Sequence, residues 1–206
     1  MAFSFKGLMG RGGPMVPVVR LAGAISAAPG LRPGLSIATA APLLDRAFSY
    51  KQAPAVGIIV NSPGGSAAQS HLIHRRIREL AEEKKKHVIV AVEDAAASGG
   101  YMIAVAGDEI IVDPSSIVGS IGVLYAGFGL QGAIEKLGIE RRVHTAGRNK
   151  AILDPFRPEK AEDVERLKAL QEQIHAVFID LVRSRRKALA DDPDLFTGAF
   201  WVGDTA

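Results

Sequence analysis

The chain has no cysteine. Disulfides, thiolate metal centres and cysteine nucleophiles are therefore excluded. Aromatic residues make up only 6% of the 206 positions, and the formal net charge is +3. No basic stripe with interleaved aromatics occurs, so nothing marks a nucleic-acid partner. No run of about 18 apolar residues exists, and no transmembrane helix is expected. The apolar start at Met15 is interrupted by Pro17 and Arg20 before it reaches the length of a signal-peptide core. Internal duplication and low-complexity tracts are also missing. A metal would have to rely on histidine and carboxylates. His71 and His74 lie three apart on an expected helix, but no matching carboxylate motif accompanies them. They read as a solvated or half-buried pair, and no metal or cofactor is expected.

What is present suits a globular core. Hydrophobic residues make up 48% of the chain, and 22 glycines and 11 prolines punctuate it. Residues 1–14 read as a flexible basic leader hinged at Gly10-Arg11-Gly12-Gly13-Pro14, and 15–206 as a single domain. Strands are expected at 17–21, 56–60, 88–92, 109–112, 117–123 and 140–145. Helices are expected at 36–48 (with Pro42 early in it or breaking its first turn), 67–86, from Ser98 through Ala106, at 129–137 and at 158–190. The last is the longest and carries a narrow apolar seam, Val164, Leu167, Leu170, Ile174, Val177, Phe178 and Leu181. Such a seam fits a helix lying on the domain or on a neighbouring subunit. Residues 28–34 are a loop, and 82–86 a solvated helix end. Strands alternating with helices predict an α/β fold with mostly parallel pairing and sites at strand C-termini. The run 56–60 reads as a strand covered on both faces, and its edge is a candidate for pairing with an extended substrate.

Two glycine-rich turns fall at such strand ends, Asn61-Ser62-Pro63-Gly64-Gly65-Ser66 and Ala97-Ser98-Gly99-Gly100-Tyr101. Ser98 stands between an apolar strand and a helix of small residues. Alone, it would be an N-cap. As a nucleophile it needs a base. Five histidines are present, none in a loop shaped for catalysis, and a Ser–His pairing stays open. Lys150, in Ala146-Gly147-Arg148-Asn149-Lys150, is a different base. Burial would have to lower the pKa of its ammonium for it to serve.

Together with Val118-Gly119-Ser120-Ile121-Gly122-Val123, these motifs resemble, in order and spacing, the signal peptide peptidase A family, peptidase family S49, in its single-copy form. The resemblance runs from about Val16 to the last residue. It implies a serine peptidase with Ser98 as nucleophile, Lys150 as general base and Ser120 orienting the lysine. It implies an oxyanion hole from the backbone N–H groups of Gly65 and Gly99; the neighbouring Gly64 and Gly100 are candidates for contacting the substrate. Oxyanion donors of this kind are each worth on the order of 10²–10³ in rate. The implied fold is the Clp protease/crotonase-like spiral of strand-strand-helix turns, with the long helix in the C-terminal half. The implied partners are a peptide or protein substrate and further copies of the chain, in a ring or dome.

The chain departs from the family at both ends. No membrane anchor of the bacterial kind precedes the domain, so the expected location is cytoplasmic, with peripheral membrane contact. The substrate is then an extended or unfolded peptide as readily as a signal peptide. The stretch 195–206 resembles a segment that normally continues into a further helix, so the domain is expected to be truncated before it. Two other readings stand beside the peptidase: a crotonase-like acyl-CoA enzyme, and a non-catalytic assembly subunit.

Overall fold

The computed structural model describes residues 15–28, 34–189 and 192–206. The expected leader, and the centre of the 28–34 loop, lie outside those residues. The chain divides into two compact units, one made of residues up to Ile121 together with Ile179–Ala206, the other of Gly122–Phe178.

The first unit holds β1 (Val18–Ala22), α1 (Ile37–Phe48), β2 (Ala55–Ser62), α2 (Ala67–Lys84), β3 (His87–Ala97), α3 (Gly99–Ala104), β4 (Glu109–Val112) and β5 (Ile117–Gly119). All six described strands form one sheet in the order β1-β2-β3-β5-β6, with β4 also on β3. The sixth is β6 (Phe200–Val202), which returns antiparallel to β5; every other pairing is parallel. The chain is thus α/β with a parallel-rich sheet. The long strand β3 pairs β4 along Ile89–Val92, then β5 along Ala95–Ala97.

Buried positions alternate along the strands: Val19 and Leu21, then Val56, Ile58 and Val60, then Val88, Val90 and Val92. They meet Leu44 and Phe48 of α1, Ile73 and Ile77 of α2 and Ile103 of α3 in one core. The opposite positions stay more open, as at Val18 and Ile111. So β2 is fully covered on one face, and only half-buried on the other. Nor does β2 offer an edge to a substrate. It lies between β1 and β3, and both of its backbone ladders are already in use.

Local chemistry explains the element ends. Ser36 caps α1 reciprocally with Thr39. Pro42 lies inside that helix on its exposed side, where it removes one helical N–H. Lys85 closes α2 in the left-handed conformation. Lys86 is buried, with its ammonium on the Tyr50 carbonyl, so the helix end is not wholly solvated.

The second unit contains α4 (Gln131–Lys136) and most of α5 (Ala161–Arg185). The strand expected at 140–145 is absent. Those residues are almost all exposed, with Arg142 paired to Glu140 and Arg141 to Asp154. No neighbouring strand pairs with them among the described residues, and an unpaired ladder cannot hold a strand. The strand expected at 117–123 likewise stops at Gly119.

Candidate active site

β3 runs straight into the turn at Ser98, and α3 starts one residue later. Ser98 has φ 51° and ψ −120°, a conformation rare for any residue but glycine. Strain of this kind costs about 1–3 kcal/mol and persists only where the surroundings hold it. Here Ser98 N–H donates to the Gly119 carbonyl at 2.8 Å, and the Ser98 carbonyl accepts from Met102 N–H at 3.0 Å. The hydroxyl makes no capping bond to α3. Ser98 is therefore not the ordinary N-cap that its local sequence suggests.

The turn after β2 packs directly on this serine. A Cβ on Gly64 would stand 2.8 Å from the Ser98 Cβ and 2.9 Å from Gly99 N, and Gly64 has φ +103°. Only glycine fits both the conformation and the space. The turn is pinned from several sides. Ser62, fully buried, donates its hydroxyl to the Gly23 carbonyl (2.7 Å) and accepts from Gly64 N–H (3.2 Å). Ile25 N–H donates to the Gly64 carbonyl, and Ser66 N–H to the Ile25 carbonyl. This bridge uses the groups on either side of Gly65 and leaves Gly65 N–H without a partner among the described residues. Gly99, as the first residue of α3, has no helical acceptor for its own N–H. Gly100 backs onto the Ser62 carbonyl.

Ser120 belongs to the same cluster of strand ends. Ala97 of β3 pairs with Gly119 of β5, so Ser98 and Ser120 leave adjacent parallel strands at the same level. Ser120 also has positive φ, 55°, and its N–H donates to the Ala199 carbonyl at 2.7 Å. The first unit therefore brings together Ser98, Ser120, Gly64, Gly65, Gly99 and Gly100.

Lys150 belongs to the second unit. It lies exposed in a turn opened by Gly147, whose carbonyl accepts the Lys150 N–H at 3.2 Å. Its ammonium has no hydrogen bond or ion pair among the described residues. The following loop is braced at Asp154, which binds Arg141 (3.0 Å), Arg157 (3.7 Å) and the Phe156 N–H (3.1 Å). Burial opposes ionisation of Asp154, but these donors outweigh it and hold the carboxyl below its usual range. A cavity of about 630 Å³ within this unit is lined in part by Phe128, Leu130, Arg148, Asn149 and Ile152.

One buried group escaped the sequence reading. His74 of α2 is 4% exposed, and its Nδ1 donates to the Met102 carbonyl of α3 at 3.0 Å. Burial lowers its pKa to about 4, and the positive charges of Arg185 and Arg78 and the neighbouring His71 push the same way. The neutral ring ties α2 to the helix that follows Ser98. Its signal was its place on the buried stripe Ser70, Ile73, His74, Ile77, Leu80 and Ala81.

Comparison with known proteins adds what geometry cannot. Over 193 residues the chain is 64% identical to the Na(+)/H(+) antiporter NhaA of Brucella melitensis, covering 93% of this chain and 26% of that protein. It is 40% identical over 141 residues to the putative protease MJ0651 of Methanocaldococcus jannaschii, covering 68% of this chain and 44% of that one. It is 33% identical over 207 residues to the chloroplastic serine protease SPPA of Arabidopsis thaliana, covering 97% of this chain and 30% of that one. The chain thus spans between about a quarter and under half the length of these relatives. A family model described as Peptidase family S49 matches residues 80–206, and the chain belongs to that family.

Proposed function

We propose that the chain is a serine endopeptidase that cleaves extended or unfolded peptides, signal-peptide-like ones included, by a Ser98–Lys150 dyad. The observation that carries the serine is its strained, uncapped position against the Gly64-Gly65 turn. On this reading Lys150, exposed in the single chain, is buried and neutral in the assembled, peptide-bound protein, and its amine takes the Ser98 hydroxyl proton as Oγ attacks the scissile carbonyl carbon. The carbonyl oxygen becomes an oxyanion, stabilised by the N–H groups of Gly65 and Gly99. Collapse of the tetrahedral intermediate expels the amine, which receives the proton back from Lys150. Water, deprotonated by the same lysine, then attacks the acyl ester and frees Ser98. Ser120 hydrogen-bonds the lysine amine and orients it.

The strand–helix order is consistent with the Clp protease/crotonase-like spiral. A homo-oligomeric ring or dome is the proposed assembly, supported by exposed Leu124, Phe128, Leu137 and Ile139 in the second unit. Among the described residues no helix is long and apolar enough to cross a membrane. The proposed place of action is the cytoplasm, at or near a membrane surface. Similarity to part of an antiporter supports the membrane's proximity.

The test is labelling with a fluorophosphonate, followed by peptide hydrolysis. We expect stoichiometric modification of Ser98, lost in Ser98→Ala and strongly slowed in Lys150→Ala, with both variants folded. Full hydrolysis by either variant would end the dyad. A folded wild-type chain that never labels would favour the acyl-CoA or assembly reading.

A further inference from the structure

We propose that Trp201 is a positioning residue whose indole holds the Gly119–Ser120 turn in the geometry that Ser98 acylation uses. The inference rests on the peptidase reading above and adds a residue to it. β6 lies antiparallel on β5 with Val118 opposite Trp201 and Gly119 opposite Phe200. A Cβ on Gly119 would stand 2.9 Å from both Cε3 and Cζ3 of the indole, so the ring occupies the space beside that glycine.

Gly119 (φ +103°) and Ser120 (φ 55°) are two successive residues in the left-handed region. Such a turn needs outside support, because serine pays for positive φ and glycine readily leaves it. The support comes from the same short segment. Ala199 accepts the Ser120 N–H, and Trp201 backs Gly119. Further on, Gly203 N–H donates to the Ser116 carbonyl (2.7 Å) and Asp204 N–H to the Pro114 carbonyl (3.0 Å). Ser116 is itself buried and donates to the Glu93 carbonyl of β3. The segment 199–204 therefore clasps β5 along its length. The Gly119 carbonyl in turn receives the Ser98 N–H. Without the ring, the turn is free to relax and carry the Ser120 hydroxyl out of place. A misplacement of about 1 Å costs on the order of 10²-fold in rate.

The experiment measures the second-order rate of fluorophosphonate labelling on the full chain. It compares wild type, Trp201→Ala, Trp201→Phe, Ser120→Ala and the double variants. We expect Trp201→Ala to label roughly 10²-fold more slowly while unfolding cooperatively on heating. Trp201→Phe, which keeps a six-membered ring, recovers most of the rate. In the Ser120→Ala background, Trp201→Ala costs no more than about 2-fold, because the hydroxyl it positions is gone. A Trp201→Ala variant that labels at the wild-type rate overturns the proposal. So do losses that multiply in the double variant, the mark of a merely structural plug. Should Trp201→Ala fail to unfold cooperatively, Trp201→Leu, which fills part of the space without a ring, takes its place in the cycle with Ser120→Ala on the same criterion. A wild-type chain that does not label overturns the peptidase reading and the positioning with it. A labelled wild type with unchanged variants overturns the positioning alone.

Discussion

The unit that carries Ser98 buries the side chains of three helices against one face of a six-stranded sheet. Among the described residues of the unit that carries Lys150, Phe178 alone is buried. The first holds its candidate residues by backbone: strand ends, positive-φ residues with hydrogen-bonded neighbours, and a glycine that nothing larger could replace. The second carries its lysine on an exposed turn braced at Asp154 and leaves Leu124 and Phe128 more than four-fifths exposed. In one, geometry is set by the same contacts that make the fold. In the other, function and folding are nearly separable. Damage to the two should therefore look different.

The largest effect is expected where function is separable. Lys150→Met should reduce peptide hydrolysis by at least roughly 10³-fold with an unchanged melting temperature, since an exposed side chain is replaced. A drop in melting temperature as large as a core mutation causes would break the contrast. Gly64→Ala comes next and should damage both properties. The positive φ alone costs about 1–3 kcal/mol, and the added Cβ meets Ser98 and Gly99. Activity should fall about 10²-fold. Calorimetry and hydrolysis on one preparation test this, and a variant that loses activity without stability would show that the turn is not part of the fold's support.

How much of this was legible in the sequence follows from the same contrast. The Ser98 turn could be read because it joins an apolar run to small residues, and both sides of it are fixed by local pattern. The Gly64-Gly65 turn could be read for the same reason. The return of Phe200–Val202 to β5 could not, because three residues carry no period and their pairing is decided by β5's open edge. The segment 140–145, expected as a strand, finds no partner among the described residues to complete a ladder, and its charges close locally on Glu140 and Asp154. Pairing His74 with His71 by spacing hides its place on the buried stripe around Ile73 and Ile77, which is the stronger signal. Contacts distant in sequence, such as Gly119 against Trp201, leave no local trace at all.

His74 gives an effect confined to the first unit. Its folded pKa is about 4, against an ordinary 6.5. The unfolded chain therefore takes up the proton first as the pH falls. The stabilisation is whole above pH 6.5, shrinks as the pH drops through the window to about 4, and levels off below it. At ~1.4 kcal/mol per pH unit the total is ~3 kcal/mol. The groups facing the ring are the Met102 carbonyl, Arg185, Arg78 and His71, and none of them offers a negative charge to a protonated ring. His74→Asn keeps a donor toward Met102 and removes the titration. Urea unfolding at pH 7.5 and 4.5 should show a smaller loss for the variant than for the wild type. Equal losses would mean that the ring is not buried in solution.

The smallest effect on stability, and the sharpest test of the contrast, lies in the second unit. Leu124 is 87% exposed and Phe128 is 85% exposed. Removing exposed apolar side chains changes stability by no more than about 0.5 kcal/mol when nothing covers them. The double change Leu124→Ser and Phe128→Ser should therefore leave the denaturant midpoint of dilute protein in place. If these residues meet another copy of the chain, sedimentation should shift toward the monomer in the same variant, because the apolar area that drove association is gone. A loss of about 2 kcal/mol in unfolding free energy, at a concentration where the wild type is monomeric, would mean that these residues are buried within the folded chain. The second unit would then have a core of its own, and the difference between the two halves would be one of degree.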